Sequence, residues 1–216
     1  MFTRVSNFTY GDLKIANIQT TYINNDIELQ IYLQTQEENC LRMILGDCMY
    51  DDLMDNVELD PNGYYQLKVD AEEKWDWLLN GLTYEATDPI ISGGCGCGCH
   101  SGNCSKHKWD GLVRKVATVA QTDVIESLMA PYIYYNWSIS ERTMVTGVGE
   151  AKGKAQNTTQ ESSMYRRIDA WNDFVKRVDF GWPNTRVSLN QFLKEHQGEF
   201  ANAQTVCMDT RTYWNI

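Results

Sequence analysis

The chain has 216 residues, 43% of them hydrophobic and 22% charged, which is ample for one large domain or two small ones with a real core. Seven Trp, twelve Tyr and six Phe exclude disorder as the main state, and only four Pro and fifteen Gly exclude collagen-like or Pro-rich architectures. A net charge of −10 opposes nonspecific DNA binding, which needs a basic surface to neutralise phosphates.

The charge is uneven: residues 1–89 carry five Lys/Arg against seventeen Asp/Glu, while 90–216 carry fourteen against twelve. A solvated acidic face accounts for this simply; ordered self-association, or a surface past which DNA slides without sticking, also fits. No apolar run approaches the roughly 18–20 residues of a membrane helix, and the first twelve residues lack the apolar block of a signal peptide. The expectation is a soluble protein made in a reducing compartment.

In chain order, Ile23 to about Leu53 predicts helix, with Ile27, Ile31, Leu41, Ile44, Leu45, Cys48 and Leu53 mostly at helical spacing. Gly46 either interrupts it or only costs propensity. Asp60-Pro61-Asn62-Gly63 is a turn. A second helix, Asp70 to Leu79, ends at Asn80-Gly81. Leu82 to Glu85 reads as a short strand, and Pro89 to Lys108 is too rich in Gly and Cys for helix.

Helical signal returns at Gly111 and runs through Leu112, Val113, Val116, Val119, Ala120, Val124, Leu128 and Met129 to Tyr135, with Pro131 expected to kink or split it. Tyr132, Tyr134, Tyr135 and Trp137 crowd aromatics together; core packing is the default and an interface the rival. Residues 140–156 predict a Gly-containing loop or arm. Its Gly147-x-Gly149-x-x-x-Gly153-Lys154 lacks phosphate-loop spacing and has Ala155 where Ser or Thr should stand.

The clearest helix spans about Asn157 to Val178, striped by Ile168, Trp171, Phe174 or Val175, and Val178, and closed by Gly181-Trp182-Pro183. Ser188 then caps a short segment, Leu189 to His196. The last eighteen residues show no period yet keep Val206, Tyr213, Trp214 and Ile216, so the tail should pack on its own body or on a neighbour.

The chemically loudest stretch holds Cys95, Cys97, Cys99, His100, Cys104 and His107 within thirteen residues. Clustered Cys and His in a reducing compartment suit tetrahedral zinc, with the interspersed Gly letting the backbone turn tightly. Cys99, Cys104 and His107 with either Cys95 or Cys97 is the simplest set. Unmetalled thiols at a hairpin tip, or thiols that oxidise after release from the cell, are the alternatives. Cys40, Cys48 and Cys207 read as ordinary core or surface residues. Catalysis has little support: a Cys104–His107 pair is conceivable but lacks an orienting carboxylate and oxyanion donors in the sequence, so the chain is read as not an enzyme.

The order of these elements resembles the head-tail connector, or adaptor, family of tailed bacteriophages, including neck proteins of crAss-like phages of Bacteroidetes. The resemblance rests on Leu41-Arg42-Met43-Ile44-Leu45-Gly46, on Leu78-Leu79-Asn80-Gly81-Leu82-Thr83-Tyr84, and on Trp109-Asp110-Gly111-Leu112. It continues through Tyr132-Ile133-Tyr134-Tyr135, Thr143 to Gly149 and the helix opening near Asn157. It implies a mainly α body over residues 1–180, with a hairpin or Cys/Gly-rich excursion at 83–110 and an arm at 140–156, and a C-terminal docking extension at 181–216.

The implied function is structural: a dodecameric ring in the virion neck, assembled in the host cytoplasm, joining the portal protein to a further tail or neck ring. DNA would pass through the lumen without sequence-specific binding, and no membrane is involved. Tyr132, Tyr134, Tyr135, Trp137, Thr146, Val148, Tyr213, Trp214 and Ile216 are the expected interface residues. No cofactor is required beyond a candidate structural zinc. The alternatives are a cytoplasmic zinc-binding adaptor that recruits a partner through its cysteine loop, and a small metal- or thiol-dependent enzyme.

Overall fold

The computed structural model describes residues 1–9, 11–15, 23–85, 106–117, 123–140, 144–146, 149–151, 164–181 and 186–212. They form a mixed α/β fold of several helices and four two-stranded antiparallel sheets. That is more strand than the mainly α expectation, and part of the added strand lies where a helix is predicted from Gly111.

Helix α1 (Ile23–Leu45) turns Leu33, Glu37, Cys40, Leu41, Ile44 and Leu45 inward at three- and four-residue steps. Gly46, at φ +79°, breaks it before α2 (Asp47–Asp55), so the glycine interrupts. Arg42 spans the break, paired with Glu38 at 3.1 Å, Asp47 at 3.0 Å and Asp51 at 3.3 Å and stacked on the Tyr50 ring.

Strands β1 (Val57–Leu59) and β2 (Tyr65–Leu67) form a hairpin around the predicted turn. There Asp60 accepts from the amides of Asn62 and Tyr64 and Gly63 takes positive φ. Helix α3 (Glu73–Asn80) buries Trp75, Leu78 and Leu79 and stops at Gly81, as its Asn-Gly end predicts.

Strands β3 (Leu82–Glu85) and β4 (Lys106–Trp109) pair antiparallel, Leu82 opposite Trp109 and Tyr84 opposite His107. They flank residues 86–105, most of the expected 83–110 excursion, which lie outside the described residues. Next, β5 (Val113–Ala117) and β6 (Asp123–Ser127) pair, Val113 opposite Ser127. The three-residue step from Val113 to Val116 points to helix, but Val113, Val116, Val124 and Ile125 are β-branched, a preference that the β5–β6 pairing realises. Helix α4 (Ala130–Ser140) starts only after them, and Pro131 lies in its first turn, where the missing N–H costs nothing, instead of kinking a longer helix.

A fourth antiparallel pair, β7 (Met144–Thr146) with β8 (Gly149–Ala151), falls within the 140–156 arm. Helix α5 (Met164–Val175) continues into a wider π turn over Lys176–Phe180 that ends at Gly181. Residues 157–163 of the predicted long helix lie outside the described residues. Helix α6 (Leu189–Glu195) is capped by Ser188, whose hydroxyl accepts from the Gln191 amide at 3.2 Å.

Helices α1, α4 and α5 share one layer with α4 in the middle. Tyr132 meets Phe174 and Tyr135 meets Trp171, so α4 and α5 run antiparallel. Tyr32 meets Trp137 edge-on at 4.9 Å on the other side. A second aromatic group joins α3, β4 and α6 through Trp75, Trp109, Phe192 and Phe200. The first residues are built into the core as well. Phe2, Thr3 and Phe8 are buried, and Thr3 bonds Ser127 through their hydroxyls at 2.8 Å. The Phe2 and Thr3 amides both donate to Glu37, which is 2% exposed. Among the described residues no helix is long and apolar enough to cross a membrane.

Candidate functional site

The segment before α6 fixes where that helix lands: Arg186 bridges Lys108 in parallel, and the Val187 amide donates to the Lys108 carbonyl at 3.0 Å. This lays α6 against the β3–β4 pair and brings together groups far apart in sequence. His107 Nδ1 lies 3.0 Å from Glu195 Oε2, and the two side chains are only 15% and 14% exposed. The Tyr84 ring packs edge-on against both His107 and His196. Gln191 donates to the other oxygen of Glu195 at 2.9 Å.

Burial pulls the Glu195 pKa upward, but Tyr84, His107 and Gln191 together outweigh it and hold the carboxyl below its ordinary value. An ionised Glu195 only accepts, so the Nδ1–H of His107 is the donor. Burial, followed by hydrogen bonding to Glu195 and then the charge of that carboxylate, pushes the Tyr84 phenol far up. A carboxylate that fixes one imidazole nitrogen orients the ring for use of the other, as in metal-bound histidines and general bases.

Cys95, Cys97, Cys99 and Cys104 lie outside the described residues, as do Val148, Tyr213, Trp214 and Ile216. Among the described residues no group of three His, Cys, Asp or Glu side chains could hold a metal. Cys40 is buried and Cys48 and Cys207 are exposed; burial, with the Glu37 charge, pushes the Cys40 thiol well up. Tyr134 and Tyr135 are buried, and Tyr132 and Trp137 half-buried, against their own chain. Thr146 ends β7.

A second constellation lies along α5. The segment from Ala203 to Thr212 has no regular structure and is mostly exposed, with Met208 its buried anchor. Arg211 stacks over Tyr135 and Trp171 at 4.8 and 4.9 Å and donates to the Tyr135 hydroxyl. Sequence reading missed Glu195, Asn172, Asn190 and Arg211. The predicted hairpin could have placed Tyr84 near His107, but nothing local marks a partner 88 positions away.

A cavity of about 510 Å³ opens elsewhere, between the N-terminal turn, β6, α4 and α5, with Asp12, Glu126, Arg166, Asp169, Asp173 and Arg177 in its wall. Its charges are mixed, and it does not contain the His107–Glu195 pair. The chain matches no protein-family model, no curated protein and no solved structure.

Proposed function

We propose that the chain is a structural assembly protein: a ring component of a phage neck that joins the portal-bearing head to the tail. The observation that carries this reading is the C-terminal extension. About ten residues without regular structure are laid over α5 and held there mainly through their backbone. A segment held through its main chain uses the kind of bonds by which peptides dock. The resemblance to head-tail connectors points the same way. The acidic N-terminal third suits a channel that repels DNA, and ring closure through heterologous contacts replaces turnover as the mechanism.

Native mass spectrometry of the purified chain, alone and beside portal protein, tests it. A ring or a defined portal complex is the expected result. A strict monomer that ignores portal protein and is missing from particles overturns it.

The His107–Glu195 pair favours a second reading, a zinc-bearing module, which is also compatible with a connector. His107 is the second residue of β4, just after the cysteine cluster, and Glu195 gives its imidazole the second partner that metal-bound histidines use. Thiolates of Cys95, Cys97, Cys99 and Cys104 with His107 form a donor set that suits zinc. A zinc ion there would supply structural stiffening.

A further inference from the structure

A cluster of charges gathers where β4 passes into β5. Asp110 is met by three cations, each at 3.5 Å: Lys108 at Oδ1, and Arg114 and Arg186 at Oδ2. Arg114 also reaches across to Glu126 on β6 at 2.7 Å. Arg177, in the π turn, pairs with Asp173 at 2.9 Å. Arg114, Arg177 and Arg186 line one cavity of about 70 Å³ together with Asp110 and Glu126, and its wall contains neither His107 nor Glu195.

The chain leaves part of this cluster unsatisfied. Asp110 Oδ1 and Arg114 Nε are buried, and neither has a hydrogen-bond partner among the described residues. Buried polar atoms are nearly always bonded. An orphaned acceptor and an orphaned donor on two residues of one wall therefore point to a ligand that can both donate and accept. The cavity has the volume of about two waters at ~30 Å³ each, which suits a small ion and not a metabolite. Trp109, Leu128 and Val187 complete the wall, and apolar surroundings strengthen charge interactions.

We propose that this cavity is a site for inorganic phosphate, held by the guanidinium groups of Arg114, Arg177 and Arg186 and selected by Asp110. Guanidinium groups offer planar, forked donors that match the oxygens of an oxyanion. A carboxylate only accepts, so it opposes an oxyanion that has no proton to give. Inorganic phosphate keeps at least one proton at neutral pH and can donate it to Asp110. Sulfate has none, and a phosphate monoester loses its last one near pH ~6. Asp110 thus turns a general arginine site into one that prefers phosphate to sulfate. Seated there, the ion ties the β4–β5 link to the π turn and to the segment that lands α6. The net charge of −10 works against diffuse anion binding, so saturable phosphate binding reports this cluster.

Isothermal titration calorimetry of the full chain with inorganic phosphate and with sulfate, at constant ionic strength, tests the site. Phosphate should bind saturably, one ion per chain, and at least about tenfold more tightly than sulfate, because an acceptor left facing an acceptor is costly. Arg186→Gln should weaken phosphate about tenfold. Asp110→Asn, which can offer an amide donor, should bring the two anions within about threefold of each other. Lys74→Gln removes a charge on α3 outside the cavity and should change neither affinity. The wild-type ratio needs no variant, so it decides the matter even where a substitution fails to fold. No saturable phosphate binding below about 10 mM, or equal affinity for sulfate, overturns the proposal.

Discussion

Gly81 and Gly111 pack backbone to backbone: a β-carbon on Gly111 would stand 2.7 Å from the Gly81 nitrogen and 2.4 Å from the Leu79 carbonyl oxygen. The reverse holds too, since a β-carbon on Gly81 would come within 2.5 Å of the Trp109 oxygen. Both residues take positive φ, +92° and +88°, where any side chain is strained. The crossing lets the Leu112 amide and the Trp109 indole both reach the Leu78 carbonyl, at 3.0 and 3.1 Å. Gly81→Ala and Gly111→Ala should therefore each cost about 3 kcal/mol or more, adding backbone clash to conformational strain. Gly63→Ala, at φ +80° in open space, should cost about 1 kcal/mol. Urea midpoints of the three variants check this order.

Trp109 combines that indole bond with a stacked contact on Phe192 at 5.4 Å. Trp109→Phe keeps the ring and loses the bond, while the Leu112 amide still satisfies the carbonyl, so the expected loss is about 1 kcal/mol. Trp109→Ala empties the site and should cost about 3–5 kcal/mol. Comparable losses for the two variants in chemical denaturation would contradict the ledger.

Glu37 is the buried clasp of the N-terminal residues. Glu37→Gln replaces one of two acceptors by a donor facing an amide, for an expected loss of about 1–3 kcal/mol. Burial raises the Glu37 pKa above its ordinary 4.5. The folded chain thus binds this proton more tightly than the unfolded chain, and the stability from this group grows as pH falls toward 4.5. The stability gap between wild type and Glu37→Gln should widen on acidification from neutrality to that point, as read from thermal unfolding across pH.

Glu195 runs the other way. Its folded pKa lies below 4.5, so its contribution is present above 4.5 and is lost as pH falls through the folded value. Glu195→Gln should flatten that acid limb of the melting curve. A limb unchanged by the substitution would show that the carboxylate is not held as described.

Under the zinc-bearing reading, the purified chain should retain about one zinc ion per copy after dialysis. His107→Ala should release it, and Glu195→Gln should weaken zinc about 10–100-fold by unfixing the imidazole. Metal analysis with competitive chelator titration reads both. Retention of zinc unchanged in His107→Ala would remove His107 from the ligand set.

Local punctuation was readable because its causes are local. Asp60 to Gly63, Asn80-Gly81, Ser188 and Gly181 each act through their own backbone geometry or a side chain two to four residues away, and each is found where the residues imply it. From Val113 to Ile125 the spacing points to helix while the β-branched residues favour strand, and the pairing of β5 with β6 decides between them.

Composition and charge order by themselves determined that this chain packs an aromatic-rich core and carries an acidic first third. Local residue order also determined the Asp60–Gly63 turn, the end of α3 at Asn80-Gly81, the Ser188 cap of α6 and the clustering of thiols after β3, since these depend on residue type and near neighbours. Only the tertiary structure decided that His107 meets Glu195, that Glu37 clasps Phe2 and Thr3, and that Asn172 and Asn190 grip the C-terminal segment. Those contacts join positions 16 to 88 residues apart. Hydrogen-bond partners across such separations are set by how α6 lands on β4 and how the tail crosses α5, and no local pattern encodes that.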